Sequence, residues 1–417
     1  MKGMTMLFGK IIPITVLIGF IGLTSSQAQD WTQWRGPQRD GVVTNFAAPA
    51  VWPEKLKLLW KTPVGSGYSS PIVFQNKAWV FSRKDDTEVV SCLDLKTGKV
   101  LWSQSYGVPF KQNQYATEMG RGPHSTPMLY QGKLYTLGVN AVLSCFDANT
   151  GAVKWRKDFG IPDTSKMFCG TAMSPVIENG NVIVHIGDDI KGGLMIAFDA
   201  TLGKEVWKLN CDGPGYASPI VMTVEGTRQL VTMTDKSVLG VEVKTGAQLW
   251  KLAWPDEWNE NIVTPTLYKN TLILSGVRKG TMAVQVQKSG AQWMTKQVWH
   301  NPELTMYMNS PVLDGEYFYG MSAKRKGQFF CAEAATGKVL WTTEGREGNQ
   351  AAVLNAKDTL FILTSDANLI VAKKAADKFQ QLAKYSVADS ATYAHPILFG
   401  KRILVKDNAN VMLWSLE

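Results

Sequence analysis

Nine residues, Asp94-Leu95-Lys96-Thr97-Gly98-Lys99-Val100-Leu101-Trp102, return along the chain in the form acidic-x-x-T-G-x-x-x-W. Copies run from Asp147 to Trp155, Asp199 to Trp207 (Leu202 in place of the threonine), Glu242 to Trp250 and Glu333 to Trp341. Asp and Thr side chains bond their own backbone in a tight turn, Gly accepts the left-handed conformation, and the residues that follow leave as a strand. Each copy is therefore a hairpin that ends in a tryptophan. A small residue stands two places before each acidic one, at Cys92, Cys145, Ala197, Gly240 and Cys331. It is expected to leave room for a neighbouring indole. One hairpin cannot bury an indole, whereas a ring of stacked sheets can.

A second repeated signal opens each unit: a small or polar residue followed by proline, at Ser70-Pro71, Thr126-Pro127, Ser174-Pro175, Ser218-Pro219, Thr264-Pro265, Ser310-Pro311 and His395-Pro396. Proline suits the first residue of a strand, where its missing N–H falls at the end of the ladder. An eighth opening is implied near Ala351-Ala352. Two further apolar β runs and the tryptophan hairpin follow each opening, which makes four strands per unit. The units close on Trp60, Trp102, Trp155, Trp207, Trp250, Trp299, Trp341 and Tyr385. Residues 70–417 shared among eight units give about 43 each, the size of a propeller blade. The final unit lacks a fourth strand, and Leu56 to Trp60 is a fourth strand without a hairpin before it. The reading is all-β: an eight-bladed propeller over residues 56–417, closed by pairing the N-terminal strand with the C-terminal blade, which removes both exposed edges. Irregular turns at Ser289-Gly290 and Lys373 to Asp377 leave the blade count good to one.

Residues 1–28 stand apart. Lys2 and Lys10 precede a largely apolar run, Ile11 to Leu23, and then Ser26-Gln27-Ala28, the pattern of a cleavable export signal too short to span a bilayer. The chain is thus expected in the periplasm or outside the cell, as a monomer with no membrane span. Residues 29–55, with Trp31-Thr32-Gln33-Trp34-Arg35-Gly36-Pro37 at their start, show no strand period and are expected as an extended segment lying across the outside. The net charge of +9 falls to +7 without the two leader lysines, modest for this surface, and no basic stripe interleaves with aromatics. Nucleic acid is therefore not an expected partner. Of the five cysteines, three occupy the small position of the hairpin. Cys169 and Cys211 lie outside it and are candidates for a bridge in an oxidising compartment.

The hairpin with its small residue resembles the tryptophan-docking motif of pyrroloquinoline quinone (PQQ)-type eight-bladed propellers, across essentially all of Leu56 to Glu417. That resemblance covers quinoprotein alcohol and sugar dehydrogenases and also a non-enzymatic propeller lipoprotein of the outer-membrane β-barrel assembly machinery. Trp34-Arg35-Gly36-Pro37 with Arg39-Asp40-Gly41, and Arg121-Gly122-Pro123-His124-Ser125-Thr126-Pro127, look like exported PQQ-like repeat proteins without an assigned role. For the dehydrogenases the resemblance implies PQQ with Ca²⁺ held by Glu, Asn and Asp oxygens, an Asp base, and often a bridge between adjacent cysteines. This chain has no Cys-Cys pair and no Cys-x-x-Cys-His haem site, and the calcium ligands find no motif match. Two functions therefore remain open: a scaffold that binds a protein or small ligand at the funnel mouth, or a periplasmic dehydrogenase using PQQ and calcium. No catalytic or metal residue is assigned.

Loops before the first strands and between the second and third ring a propeller's funnel. The insert from Ser103 to Pro127 carries Glu118, Arg121 and His124; Arg121 with His124 either binds an anionic or carbonyl group or satisfies loop carbonyls. His124 and His395 both precede first strands. Tyr68, Tyr216 and Tyr393 precede equivalent openings and either line an aromatic vestibule or pack the blades. Asp188-Asp189, Asp235, Asp366 and Asp407-Asn408 are cation-ligand candidates that turn propensity also explains. Arg83-Lys84, Arg278-Lys279 and Lys324-Arg325-Lys326 would give one face a positive potential or simply a solvated rim.

Overall fold

The computed structural model describes residues 30–161, 163–188 and 191–417, with only the backbone of Lys166. The leader at 1–28 and Asp189 lie outside these residues. Eight sheets, each built on four antiparallel strands, stand around one axis; seven run in chain order, one of these gains a short fifth strand on its inner edge, and the eighth takes its outermost strand from the N-terminus. Blade 1 shows the plan: Ile72–Phe74 innermost, then Lys77–Lys84, Thr87–Asp94 and Val100–Gly107. In blade 8 the outermost strand is Lys57–Pro63, paired antiparallel with Asn410–Ser415 so that Lys57 faces Ser415 and Pro63 faces Asn410. The chain's two ends are thereby joined in one sheet, and the last blade gains its fourth strand.

The indoles stitch neighbouring blades. Trp60 Nε1 donates to the carbonyl of Leu95 at 3.0 Å, Trp102 to Ala148 at 3.2 Å, Trp155 to Ala200 at 3.2 Å and Trp207 to Val243 at 3.0 Å. Trp299 reaches Ala334 and Trp341 reaches Ala375, both at 3.0 Å. The turn glycine of the receiving blade lies flat on the ring: a Cβ on Gly98 would sit 2.6 Å from the Trp60 indole, one on Gly151 2.6 Å from Trp102, and one on Gly337 2.4 Å from Trp299. The small residue two before the acidic position serves differently from expectation. It is the cross-strand partner of its own hairpin's tryptophan, Cys92 opposite Trp102, Ala197 opposite Trp207 and Cys331 opposite Trp341. At Gly240 a Cβ would meet the Trp250 ring at 2.1 Å. The small side chain thus clears the indole of its own blade, and the turn glycine clears the neighbour's.

Two blades depart from the pattern for visible reasons. Blade 5 replaces the turn with the long hairpin Gly280–Ser289 and Gln292–Asn301. Trp250 then takes Gln229 Oε1 of its own blade at 2.7 Å instead of the next blade's carbonyl. In blade 7 the register shift that marks the tryptophan place falls beside Val371, opposite Ala383. Tyr385, read from the sequence as the closing aromatic, is two residues beyond that place, and its hydroxyl donates to Pro53 O at 2.8 Å.

The segment at 30–43 lies in the axial channel, not across the outside. Trp31 exchanges backbone hydrogen bonds with Val73 of blade 1, and Thr32 O accepts from Leu129 N of blade 2. Arg39 donates to Pro175 O at 3.1 Å and Pro219 O at 2.9 Å, in blades 3 and 4, and Arg35 donates to Pro311 O of blade 6 at 2.6 Å. Val42–Val43 pairs parallel with Asn355 and Ala356 of blade 7. A run this short touches six innermost strands only on the axis. The reason is chemical: each innermost strand turns an unpaired edge toward the channel, and buried carbonyls there need donors. Arginine, with five N–H groups, serves several at once.

Gly98 and Gly132 share φ +71°, yet a Cβ on Gly132 meets nothing within 4 Å. Gly132→Ala should therefore lose only the backbone term, about 1 kcal/mol. Gly98→Ala should lose about 1–3 kcal/mol more because the Trp60 ring must move. Urea midpoints at matched slope measure the difference, and equal midpoints would show that the indole contact contributes nothing.

Candidate functional site

The residue before each opening proline stands at the rim of the channel, and these residues are chained to one another. Thr126 N donates to Ser174 Oγ at 3.0 Å, Ser174 N to Ser218 Oγ at 2.9 Å, and Thr264 N to Ser310 Oγ at 3.0 Å. His395 N of the last blade donates to Ser70 Oγ of the first at 2.8 Å, a further link between the chain's two ends. At these four junctions a serine before the proline is the blade-to-blade link.

Inside this belt is a chamber of about 120 Å³. Trp34, from the axial segment, lines it from below. Its rim carries Tyr68, Tyr216 and Tyr393, and His124 and His395 join them. The rings touch one another: Tyr68 meets Tyr393 edge-on at 4.7 Å between centroids, and Trp34 meets His395 edge-on, also at 4.7 Å. Toward solvent the chamber shares Met119, Met308, Gln350 and Tyr393 with a vestibule of about 460 Å³, whose outer edge holds Tyr115, 82% exposed.

Burial sets the electrostatics. It depresses His124 to about 4, with a further push from Lys406, and drives His395 well down, aided by Arg35, so both rings are neutral at pH 7. His124 Nε2 and His395 Nδ1 are buried with no hydrogen-bond partner among the described residues, and so is Trp34 Nε1. Burial raises the Tyr68 phenol to about 12. In the axial segment burial lowers Arg39 to about 9 and Arg35 to about 10, and at the end of the second strand of blade 8 it lowers Lys406 to about 7. Lys406 Nζ is satisfied by the carbonyls of Gly67 and Asp407.

The remaining sequence candidates are placed elsewhere. Arg121 does not meet His124: its guanidinium donates to Asp86 Oδ1 at 2.6 Å and Phe110 O at 3.0 Å, beside a separate cleft between blades 1 and 2. Glu118 lies on the vestibule. Cys169 and Cys211 are free thiols, not a bridge: Cys169 lines the chamber, and Cys211 Sγ lies 3.4 Å from His185 Nε2 in blade 3. Asp407 caps the turn at Ala409 and Asn410, and Asp366 accepts from Thr364 and Asn368. Asp188 accepts from Lys191 N. The basic turns are paired as well: Arg83 bonds Asp86, Arg278 bonds Asp256 and Glu260, and Lys324 bonds Glu303. Sequence reasoning passed over Trp34, Arg35, Arg39, Gln350 and Lys406. The only available signal was two arginines and two tryptophans packed into a turn-rich segment ahead of the repeats.

The chamber does not suit a calcium-bound quinone. Ca²⁺ takes six to eight oxygens, carboxylates prominent among them. No Asp or Glu lines the chamber; from outside it Arg35 and Lys406 act on its two histidines, and Asp407, Glu118 and Glu260 act on Tyr68, Tyr393 and Cys169. Its volume is also below the roughly 300 Å³ at which pockets for ordinary small ligands begin.

The family described as outer membrane protein assembly factor BamB matches residues 39–187, 86–343 and 296–413. Among curated relatives, outer membrane protein assembly factor BamB of Shewanella oneidensis is 25% identical over 240 residues, 54% of this chain and 58% of that protein. The chain thus spans less than two thirds of that relative. In fold it is similar to BamB from Moraxella catarrhalis, with TM-score 0.59, 14% identity, and coverage of 86% of this chain and 99% of the other. It is also similar to a europium-containing methanol dehydrogenase, with TM-score 0.69, 13% identity, and coverage of 94% and 98%. At these identities the structural likenesses establish the propeller fold alone.

A histidine with a depressed folded pKa favours the neutral form in the native state. Its stabilisation is complete above the unfolded value of about 6.5 and is lost as pH falls toward 4. From pH 6.5 to 4 the native chain should lose up to about 3 kcal/mol relative to His124→Gln. Chemical denaturation of both proteins across that range measures the gap; parallel curves would show His124 protonating normally.

Proposed function

Since the chain belongs to the family described as outer membrane protein assembly factor BamB, we propose that it is an exported binding or assembly scaffold. Its funnel face, from the chamber out to the vestibule, recognises a protein partner or a ligand. The observation that carries this reading is the occupied axis: residues 30–43 fill the channel with backbone and two buried arginines, and the chamber above them has no carboxylate to hold calcium or act as a base. The residues 1–28 would direct export, and 29–55 and 56–417 act as plug and propeller. Among the described residues no helix is long and apolar enough to cross a membrane. Export to the periplasm is in keeping with relatives named for outer-membrane protein assembly.

Recognition is assigned to the mouth because exposed Tyr115 and the vestibule lie there. A photocrosslinking residue at position 115 should yield an adduct with a protein of the outer-membrane assembly machinery, and one at exposed Leu101, on an outermost strand, should not. In parallel, the purified chain supplied with PQQ and Ca²⁺ should give no dye-linked alcohol or sugar oxidation. Stoichiometric quinone binding with turnover, and no adduct at 115, would overturn the scaffold reading in favour of the dehydrogenase.

A further inference from the structure

We propose that the inner chamber is a binding site for a small monocarboxylate with a compact apolar or aromatic body. The inference rests on reading the funnel face as a recognition surface and specifies what its deepest part takes.

The lining supplies donors in excess of acceptors. Ser174, Ser218 and Ser310 each spend an oxygen lone pair on a neighbouring backbone N–H, and none of their own hydroxyl protons finds an acceptor among the described residues. All three line the chamber. Trp34 Nε1 is a pure donor and is unpartnered. His395, 5% exposed, leaves Nδ1 unpartnered, and His124 leaves Nε2; in a neutral ring either nitrogen donates or accepts with the tautomer. Against these stands one unpartnered acceptor in the lining, Gln350 Oε1. Buried polar groups without partners are rare in native proteins and point to an unseen ligand or water.

Charge selects the sign of that ligand. Arg35 and Arg39, on the axial segment that carries Trp34, are buried and donate to carbonyls, and neither forms an ion pair among the described residues, although Asp40 and Glu178 act on them through space. Positive charge in a medium of low dielectric favours an anion. Oriented O–H and N–H groups aimed at a carboxylate give stronger bonds than neutral pairs do.

Size and wall chemistry select the body. At roughly 12 Å³ per water-sized site, the chamber of about 120 Å³ has room for about eight to ten non-hydrogen atoms. Tyr68, Tyr393 and the Trp34 ring present aromatic surface, with Met119 and Met308 toward the vestibule. An inorganic oxyanion would leave that surface wet, and a tricyclic quinone would not enter.

Titration calorimetry on the full chain tests this, with benzoate as the probe and benzamide, benzylamine and inorganic phosphate as controls. Benzoate should bind one to one, at least about tenfold tighter than each control. Ala172→Leu, which places a branched side chain in the chamber, should abolish binding, and Trp34→Phe, which keeps a ring but deletes the N–H, should weaken it several-fold. If Ala172→Leu does not fold, Trp34→Phe carries the test. No benzoate binding at tens of millimolar, equal binding of benzamide or phosphate, or unchanged binding in both variants would overturn the proposal. Crosslinking at position 115 is read separately, so an adduct there without benzoate binding sinks this inference and leaves the scaffold reading standing.

Discussion

An indole laid on the glycine of the next blade is the contact on which the ring depends. In the regular blades a large flat side chain goes to one neighbour and a Cβ-free turn to the other, so these contacts run between adjacent blades, as in other repeat architectures. Such a chain of contacts closes only if its last member meets its first. Trp60 does so from the N-terminal strand of blade 8, donating to Leu95 of blade 1. Near the axis a serine also ties His395 back to Ser70. Indoles link neighbouring blades toward the periphery, and serine hydroxyls link several of them near the centre.

Closing eight sheets around an axis creates a problem at the centre. Eight innermost strands present free backbone edges to a channel, and water confined there would have to satisfy them. The segment at 30–43 does it with protein. Burying Arg35 and Arg39 carries a desolvation penalty, visible in their lowered pKa values, which several carbonyl bonds apiece offset. The same device makes the funnel blind: Trp34 lies beneath the chamber, and positive charge lies under it. What the site can recognise follows from how the fold seals its own axis.

Most of the chamber was legible because position within a repeat dictates position in space. Tyr68, Tyr216 and Tyr393, each just ahead of an opening proline, and His124 and His395, immediately before or near one, reach the axis for the same reason that the prolines do. Arg121 shows where that logic stops. It sits three residues from His124 in a non-periodic insert, and its direction is decided by Asp86 of a different loop, which no spacing announces. Cys169 and Cys211 fail likewise: equal placement relative to successive blades suggests proximity, yet one faces the chamber and the other His185. Tyr385 was misread because an aromatic near the end of a strand looks like a docking residue until the register places Ala383 there.

The sequence by itself determined the repeating hairpin, the four-stranded unit, the closure through Lys57–Pro63 and the ring of residues before the prolines, because turns, strand alternation and glycine conformations are local and recur. Only the tertiary structure decided the fate of residues 30–43. Their partners are backbone N–H and C=O groups of six different blades, groups that nearly every residue carries and that no side-chain pattern distinguishes. The contents of the axis, and with them the charge and depth of the site, exist only once the ring has formed.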